Sequence, residues 1–480
     1  MLLLTTYVTY RGGILLDRLN EQKPQDGISR EEKKDFKKNI VRKKKKIVLA
    51  MVLIAFGMLG IMKYTNFMLG NIDAVLRLFG SGKQIGVLNL TLQLGISFYT
   101  FQSVSYVVDV YRGKHEPQKN FFKYALFVSF FPQLLQGPIG RYERLGEQLY
   151  EGHAYDLKNI QFGLQRILWG MLKKMVLADR VNAAVTLIFN NYWNYGGWIN
   201  VFGVILYSIQ LYADFSGGID ITIGIAQMFG ITMDENFRQP YFSRSISEFW
   251  RRWHLSLGAF FREYVFYPVS TSKLFLKLNV KIRDHLGNVI GKVFAASIPI
   301  LCVWVLTGLW HGAKWNYIAW GLYHGVLICM STLFEEPLAK LTKALRIKTD
   351  CISWEIFRML RTFILCVIGR LIFMGQGIRS SIWMIRSMVF DHSRVYNIVD
   401  EFSLSGREWR VLIFGCLLLL AVSIAQEIME RRGSTGDVRE WLAKQNIVFK
   451  WLVMAAGLAF IAICGVYGSG AGASFIYEQF

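Results

Sequence analysis

Long apolar runs recur along this chain of 480 residues, and they constrain its fold more than any other feature. A bilayer core takes about 20 apolar residues per helix, and lipid leaves open backbone unsatisfied unless it is helical or closed into a barrel. Runs of this kind lie near 47–69, 87–110, 198–213, 292–310, 315–334, 359–375, 411–425 and 449–467. Weaker candidates at 1–16, 122–136, 162–190 and 217–230 carry charges, glycines or a proline. The expected fold class is an all-α integral membrane protein, polytopic, with about 10–12 membrane helices that include broken or re-entrant segments. Phe130 to Pro138 has the character of a re-entrant segment, tolerated where protein or a water cavity covers its backbone. Residues 1–16 are interrupted by Arg11-Gly12-Gly13, lack a basic leader with a long apolar core, and are not read as a signal peptide. One membrane domain over 1–480 is expected, closing with membrane helices in 352–480.

Composition agrees with a membrane class. Apolar residues make up 53% of the chain and charged ones 19%, below the roughly 25% usual for soluble domains. Disorder, collagen and disulfide scaffolds are excluded, and eight prolines leave no room for Pro-rich linkers. The six cysteines form no CxxC pair and mostly sit in apolar runs, so no zinc or redox motif and no metal is expected. Lys and Arg total 55 against 34 acidic residues, a net charge of +21. Many of the cations fall in 18–46, which ends in Arg42-Lys43-Lys44-Lys45-Lys46. An apolar run follows at once, so the segment reads as a basic cytoplasmic loop beside anionic lipid headgroups, and no nucleic acid is implied.

Three places could carry chemistry. At helical spacing Trp250, His254, Leu257 and Phe261 share one face of a continuous amphipathic helix, opposite Glu248, Arg251, Arg252, Arg262 and Glu263. The plain reading of His254 is a core imidazole bonded to a carbonyl. His311, in Gly308-Leu309-Trp310-His311-Gly312, closes an apolar span, where an ionisable group is a functional candidate by default. A neutral imidazole there can take a proton from a hydroxyl near pH 7, and glycines 308 and 312 allow close approach of backbone or substrate. The plain alternative is a capping histidine. His324, within Gly321-Leu322-Tyr323-His324-Gly325, suits a supporting polar role behind the site. His115, His153, His285 and His392 fall in polar loops and are expected to be solvated.

The third place is Asp214-Phe215-Ser216-Gly217-Gly218-Ile219-Asp220, which reads as two carboxylates beside a Gly-Gly break. Six residues apart on a helix they diverge by about 120°, so a shared acid/base dyad is doubtful. Pairing with Arg251 or Arg252, binding of a polar ligand and a structural ion pair stay open. The chain has no GxxxxGK[ST], GxSxG or HExxH motif.

The same residues carry a resemblance. Phe131-Pro132-Gln133, Gly137-Pro138-Ile139 and Arg141-Tyr142 are followed by Asp214-Phe215-Ser216-Gly217, Glu235-Asn236-Phe237 and Pro240-Tyr241. Ser243-Arg244-Ser245-Ile246 then leads into Phe249-Trp250-Arg251-Arg252-Trp253-His254-Leu255-Ser256-Leu257. Trp310-His311-Gly312, Trp320-Gly321-Leu322-Tyr323-His324-Gly325 and the closing Phe475-Ile476-Tyr477-Glu478-Gln479-Phe480 complete the set. In this order, over nearly the whole chain, the text resembles the bacterial alginate O-acetyltransferase branch of the membrane-bound O-acyltransferase family. Members of that branch usually begin with one or two further apolar helices, whereas this chain starts inside that region. Gly218 and Glu478 also depart from the branch's pattern.

The resemblance implies a membrane acyltransferase with its core in 95–335, in a bacterial cytoplasmic (inner) membrane. It implies His311 and His254 as catalytic, with His324 supporting them. Trp310, Trp250, Arg251, Arg252, Asp214 and Ser216 would contact substrate. No bound cofactor is implied; acetyl-CoA or an acyl carrier would donate, and a secreted or cell-wall polysaccharide would accept through an extracytoplasmic esterase-like partner. D-alanyl transfer to teichoic acid from a carrier protein is the rival within the family, and peptidoglycan O-acetylation is equally allowed. A polysaccharide-precursor transporter using Asp214 and Asp220 is the rival outside it.

Overall fold

The computed structural model describes all residues except 25, 28, 81–84, 91–92, 392–401, 403, 435 and 468–480. His392 and the closing segment 475–480 therefore lie outside the described residues. Among the described residues every extended element is a helix, and one isolated antiparallel bridge joins Phe237 and Trp253. The chain divides into two compact units: Met1–Asn159 with Ala226–Asp234, and Ile160–Ile225 with Glu235–Phe480.

In the first unit α1 (Leu2–Glu21), α2 (Arg30–Leu78) and α3 (Ile96–Arg112) pack on one another. The glycines that seemed to interrupt α1 are packing sites. A side chain on Gly12 would strike Met51, and one on Gly13 would press on the Tyr106 ring. The basic segment expected as a loop is largely helix. Ser29 and Glu32 form a reciprocal capping box that starts α2, and the lysine-rich run continues as its first turns, since Lys, Arg and Glu are good helix formers. α4 (Phe121–Ser129), α5 (Phe131–Gln136) and α6 (Tyr142–Tyr150) follow. The six-residue α5, with Gln133 and Gln136 buried, lies where a re-entrant segment was expected, at 130–138. His115 is not a solvated loop residue: it is half-buried, stacked 5.4 Å from the Tyr106 ring. His153 and His285 are exposed, as expected, but His285 lies within the helix Lys273–His311 rather than in a loop.

In the second unit α7 (Leu157–Met171) runs through a π-helical segment, Leu172–Ala178, into α8 (Asp179–Asn190). α9 (Gly197–Met228) crosses the expected Gly217-Gly218 break without interruption. Gly217 lies against the Gly170 backbone and Gly224 against that of Gly163, so the missing side chains let two helices approach closely. Short α10 (Ile246–Trp250), α11 (Leu255–Phe261) and α12 (Tyr267–Ser270) precede α13 (Lys273–His311), which leaves helical geometry at Gly287. α14 (Trp315–Leu333), α15 (Glu335–Ala344), α16 (Ile352–Met374) and α17 (Ile378–Phe390) come next. Helices Gly406–Arg431, Val438–Ala443 and Ile447–Cys464 complete the unit.

Among the described residues five helices are long and apolar enough to cross a membrane alone: Arg30–Leu78, Gly197–Met228, Lys273–His311, Gly406–Arg431 and Ile447–Cys464. The pair α14–α15, bent by 56°, makes a sixth. Other candidates among the expected ten to twelve form helices that are shorter, such as the 17 residues of α3, or more charged, such as α16. The protein is thus a multi-pass, all-helical membrane protein. Within its apolar window α9 is 67% buried, whereas the other four single spans are 6–17% buried. α9 is therefore the most buried of these spans, and the other four leave most of their apolar window exposed.

Candidate functional site

His254 is placed by a break in the helix, against expectation. α10 ends at Trp250, and His254 takes a left-handed conformation (φ 49°, ψ 55°) before α11 begins. That conformation is costly for a residue with a side chain, and neighbouring contacts hold it. The strand-like stretch 236–238 runs alongside: Arg238 N donates to Arg252 O at 2.9 Å and Leu255 N to Asn236 O at 3.1 Å. The Asn236 side chain, fully buried, then caps α11. Its Oδ1 accepts from Ser256 N (3.0 Å), Ser256 Oγ (2.9 Å) and His254 Nδ1 (3.2 Å).

This fixes the imidazole's chemistry. A backbone N–H can only donate, so the atom facing Ser256 N is the amide oxygen, and an amide oxygen can only accept. Nδ1 of His254 therefore carries the proton, and Nε2 is its basic nitrogen.

His311 is the last residue of α13. Glycines 308, 312 and 321 bring α13 and α14 together. A Cβ at Gly308 would meet the Tyr317 carbonyl, one at Gly321 the Trp304 carbonyl, and one at Gly312 the Tyr317 ring. The close approach read from Gly308 and Gly312 is thus made by a neighbouring helix. The buried His311 ring stands edge-on to Trp310, Trp320 and Phe373 at 4.7, 4.8 and 5.1 Å. Trp310 also lies 5.7 Å from the His254 ring, so one indole separates the two imidazoles. His324, on α14, accepts at Nδ1 from Trp250 Nε1 (3.3 Å) and packs edge-on to that ring.

His254, His311 and His324 line one cavity of about 530 Å³, together with Trp250, Arg251, Thr307, Trp320, Arg370 and Phe373. A second cavity of about 570 Å³ is lined by Arg238, Arg244, Arg251, Arg252 and Arg358, with Ser245, Glu248 and Glu430. Arg251 lines both. Arg252 pairs with Glu427 (2.6 Å) and Glu248 (2.9 Å), not with the aspartates of α9.

α9 sorts its side chains by helical period. Leu211 lines the histidine cavity and Phe215 stands 4.8 Å from the His254 ring. Tyr212, Ser216 and Asp220 face a different cavity, of about 580 Å³. Asp214 and Ser216, expected as substrate contacts, do not line the histidine cavity. Lys174 donates to Asp214 (2.7 Å) and lies 2.8 Å from Asp179, while Lys173 bonds Ser216 (2.9 Å) and Asp220 (2.5 Å). Arg166 adds a bond to Asp220 (2.9 Å) and a fork to Glu235. The π-helical turn lets the consecutive lysines 173 and 174 both point inward. Asp437, outside the spans, lines this cavity too; burial raises its carboxyl, but the bonds and charge of Arg439 hold it below the ordinary range. Asn236, Lys173, Lys174 and Arg370 were not singled out from sequence. Signals were present: Asn236 stands in the Glu235-Asn236-Phe237 block, and Arg370, like Arg361, is a cation inside the apolar run 359–375.

Comparisons with known proteins point the same way. The sequence model of the "MBOAT, membrane-bound O-acyltransferase family" matches residues 118–282, which include His254. A Pseudomonas syringae pv. tomato protein named "Probable alginate O-acetylase AlgI" is 32% identical over 391 residues, 81% of this chain and 69% of the relative. The chain belongs to the membrane-bound O-acyltransferase family. It is an acyltransferase. The "Peptidoglycan O-acetyltransferase" of Helicobacter pylori is 30% identical over 380 residues, 72% of this chain and 65% of that protein. The "Teichoic acid D-alanyltransferase" of Bacillus subtilis is 31% identical over 265 residues, 52% of this chain and 61% of that one.

Proposed function

We propose that this acyltransferase moves acetyl groups from acetyl-CoA across a bacterial cytoplasmic membrane for O-acetylation of a secreted or cell-wall polysaccharide. The observation that carries the reading is the pairing of two cavities through Arg251: one apolar and aromatic, holding the histidines, and one lined by five arginines, of which Arg238, Arg244 and Arg252 also pair with glutamates. A phosphorylated donor with a long neutral arm fits such a pair. The arginines attract and hold its phosphates, while the apolar cavity takes the arm and its thioester. His311 takes the proton of the acceptor hydroxyl as its oxygen attacks the thioester carbon, and returns it to the departing thiolate. His254, with Nε2 as its basic nitrogen, lines the same cavity and orients the acceptor. His324, held by Trp250, keeps the aromatic wall in place.

Similarity to the two O-acetyl-transferring relatives named above extends over 81% and 72% of the chain, against 52% for the D-alanyl relative, and this favours acetyl. The transport reading loses its main support, because Asp214 and Asp220 are engaged by lysines and Arg166. An extracytoplasmic esterase-like protein would take the acetyl group onward to the polysaccharide.

Membranes carrying the protein and such a partner, given labelled acetyl-CoA, are expected to label polysaccharide, and His311→Ala to abolish the labelling. Label from a D-alanyl carrier thioester but not from acetyl-CoA would move the reading to teichoic acid. Full labelling by His311→Ala would remove that histidine from the chemistry.

A further inference from the structure

α16 turns Thr362, Cys366, Gly369, Arg370 and Phe373 inward, at helical spacing. Arg370 is the misfit in that row. It is 4% exposed, lines the histidine cavity, and stands over the rings of Tyr241 (5.1 Å), Trp253 (5.4 Å) and Phe249 (6.0 Å). Neither terminal nitrogen makes a hydrogen bond of ordinary geometry among the described residues, although the Tyr241 hydroxyl approaches the guanidinium. The other buried cations of this unit are matched: Lys173 by Asp220, Lys174 by Asp214 and Asp179, Arg166 by Asp220 and Glu235. A guanidinium stays charged at any physiological pH, and a buried charge without a counter-charge is strongly unfavourable. Aromatic faces offset part of that cost. They leave the in-plane N–H donors unused, beside a cavity that also holds three imidazoles.

We propose that Arg370 is the oxyanion anchor of the acyl transfer: its terminal N–H groups hold the carbonyl oxygen of the acyl group on which negative charge develops. The assignment rests on the acyl-transfer reading of this cavity. When the acceptor oxygen bonds to the carbonyl carbon, its proton passes to a histidine and the carbonyl π pair moves onto the carbonyl oxygen. Collapse re-forms the C=O bond and breaks the C–S bond, and the thiolate leaves with the proton. Donors aimed at that oxygen are worth far more against the anion than against the neutral thioester, and a water-poor apolar cavity enlarges the difference. The three rings fix the guanidinium plane in advance, so little reorganisation is needed when charge appears.

Arg370→Met keeps the length and removes the charge; Arg370→Lys keeps a charge without the fork. In the full chain, Arg370→Met is expected to lower kcat by about 10²–10³-fold with KM for the donor within about threefold. Arg370→Lys should recover part of the loss. A raised KM with unchanged kcat would instead mean that Arg370 holds a permanent anion, and unchanged kinetics would mean a structural arginine; either overturns the proposal. Melting of the purified protein adds a readout independent of turnover. Methylphosphonate, a tetrahedral anion the size of an acetyl adduct, is expected to raise the Tm of wild type but not of Arg370→Met. Stabilisation that survives in Arg370→Met would refute it. If wild type turns over no acetyl-CoA, the donor assignment fails while the methylphosphonate result still decides the role of Arg370. Arg370→Met should also melt no lower than wild type, because it removes an uncompensated buried charge; a purely structural cation over three rings would show a fall.

Discussion

One buried amide, Asn236, sets both the position and the protonation of His254. Its oxygen accepts three hydrogen bonds, two of them from Ser256 and one from the imidazole. Asn236→Ala strands the Ser256 amide in the interior, a loss of roughly 1–3 kcal/mol, and frees the ring to rotate or change tautomer. Transfer activity should fall about 10²-fold, as is common when a reacting group is misplaced by about 1 Å. Asn236→Asp retains an accepting oxygen and should keep more activity than the alanine variant. Equal activity in the two, measured as labelled acetyl transfer per folded protein, would show that the hydrogen bonds do not control His254.

Helices here owe their positions to glycines as much as to apolar residues. α13 and α14 touch backbone to backbone at Gly308 and Gly321, and this closeness sets His311 against Trp320. Gly308→Ala or Gly321→Ala must push a carbonyl aside, at a cost of about 1–3 kcal/mol. Both should lower thermal stability and activity together. Gly57, in α2, meets nothing within 4 Å; Gly57→Ala should leave activity intact and add up to about 1 kcal/mol of stability through helix propensity alone. Thermal melts of the three variants check the contrast. The same logic explains why Gly217-Gly218 does not break α9: a glycine pair weakens an isolated helix, but here it admits the backbone of α7. At 245–261 the error ran the other way. A sound amphipathic period predicted one helix, yet pairing of 236–238 with 252–255 pulls the chain out of helix at His254. Periodicity reports which faces are apolar, not where a distant strand-like segment intervenes.

For the molecule as a whole, charge is sorted by cavity. The lysines of the π-helical turn are neutralised beside α9, while Arg251 joins an arginine-lined space to the histidines. Arg251→Gln should raise KM for acetyl-CoA severalfold with kcat little changed, and added salt should weaken donor use more in wild type than in the variant. Kinetics at two ionic strengths test this; a fall in kcat at constant KM would place Arg251 in the chemistry instead. By itself the sequence determined the membrane class and pointed to His254 and His311, which line one cavity in the fold. Spans are read from local composition, because lipid satisfies no backbone group, and FWRRWH and WHG are contiguous text. Only the tertiary structure decided the rest. Asp214 and Ser216 fell away from the histidine cavity because one helix presents different faces to different neighbours. Asn236 and Arg370 entered because they lie 18 and 116 positions along the chain from His254 and meet it, or its cavity, only when the chain folds. Their chemistry is that of buried polar groups, whose partners are fixed by packing rather than by neighbours in sequence.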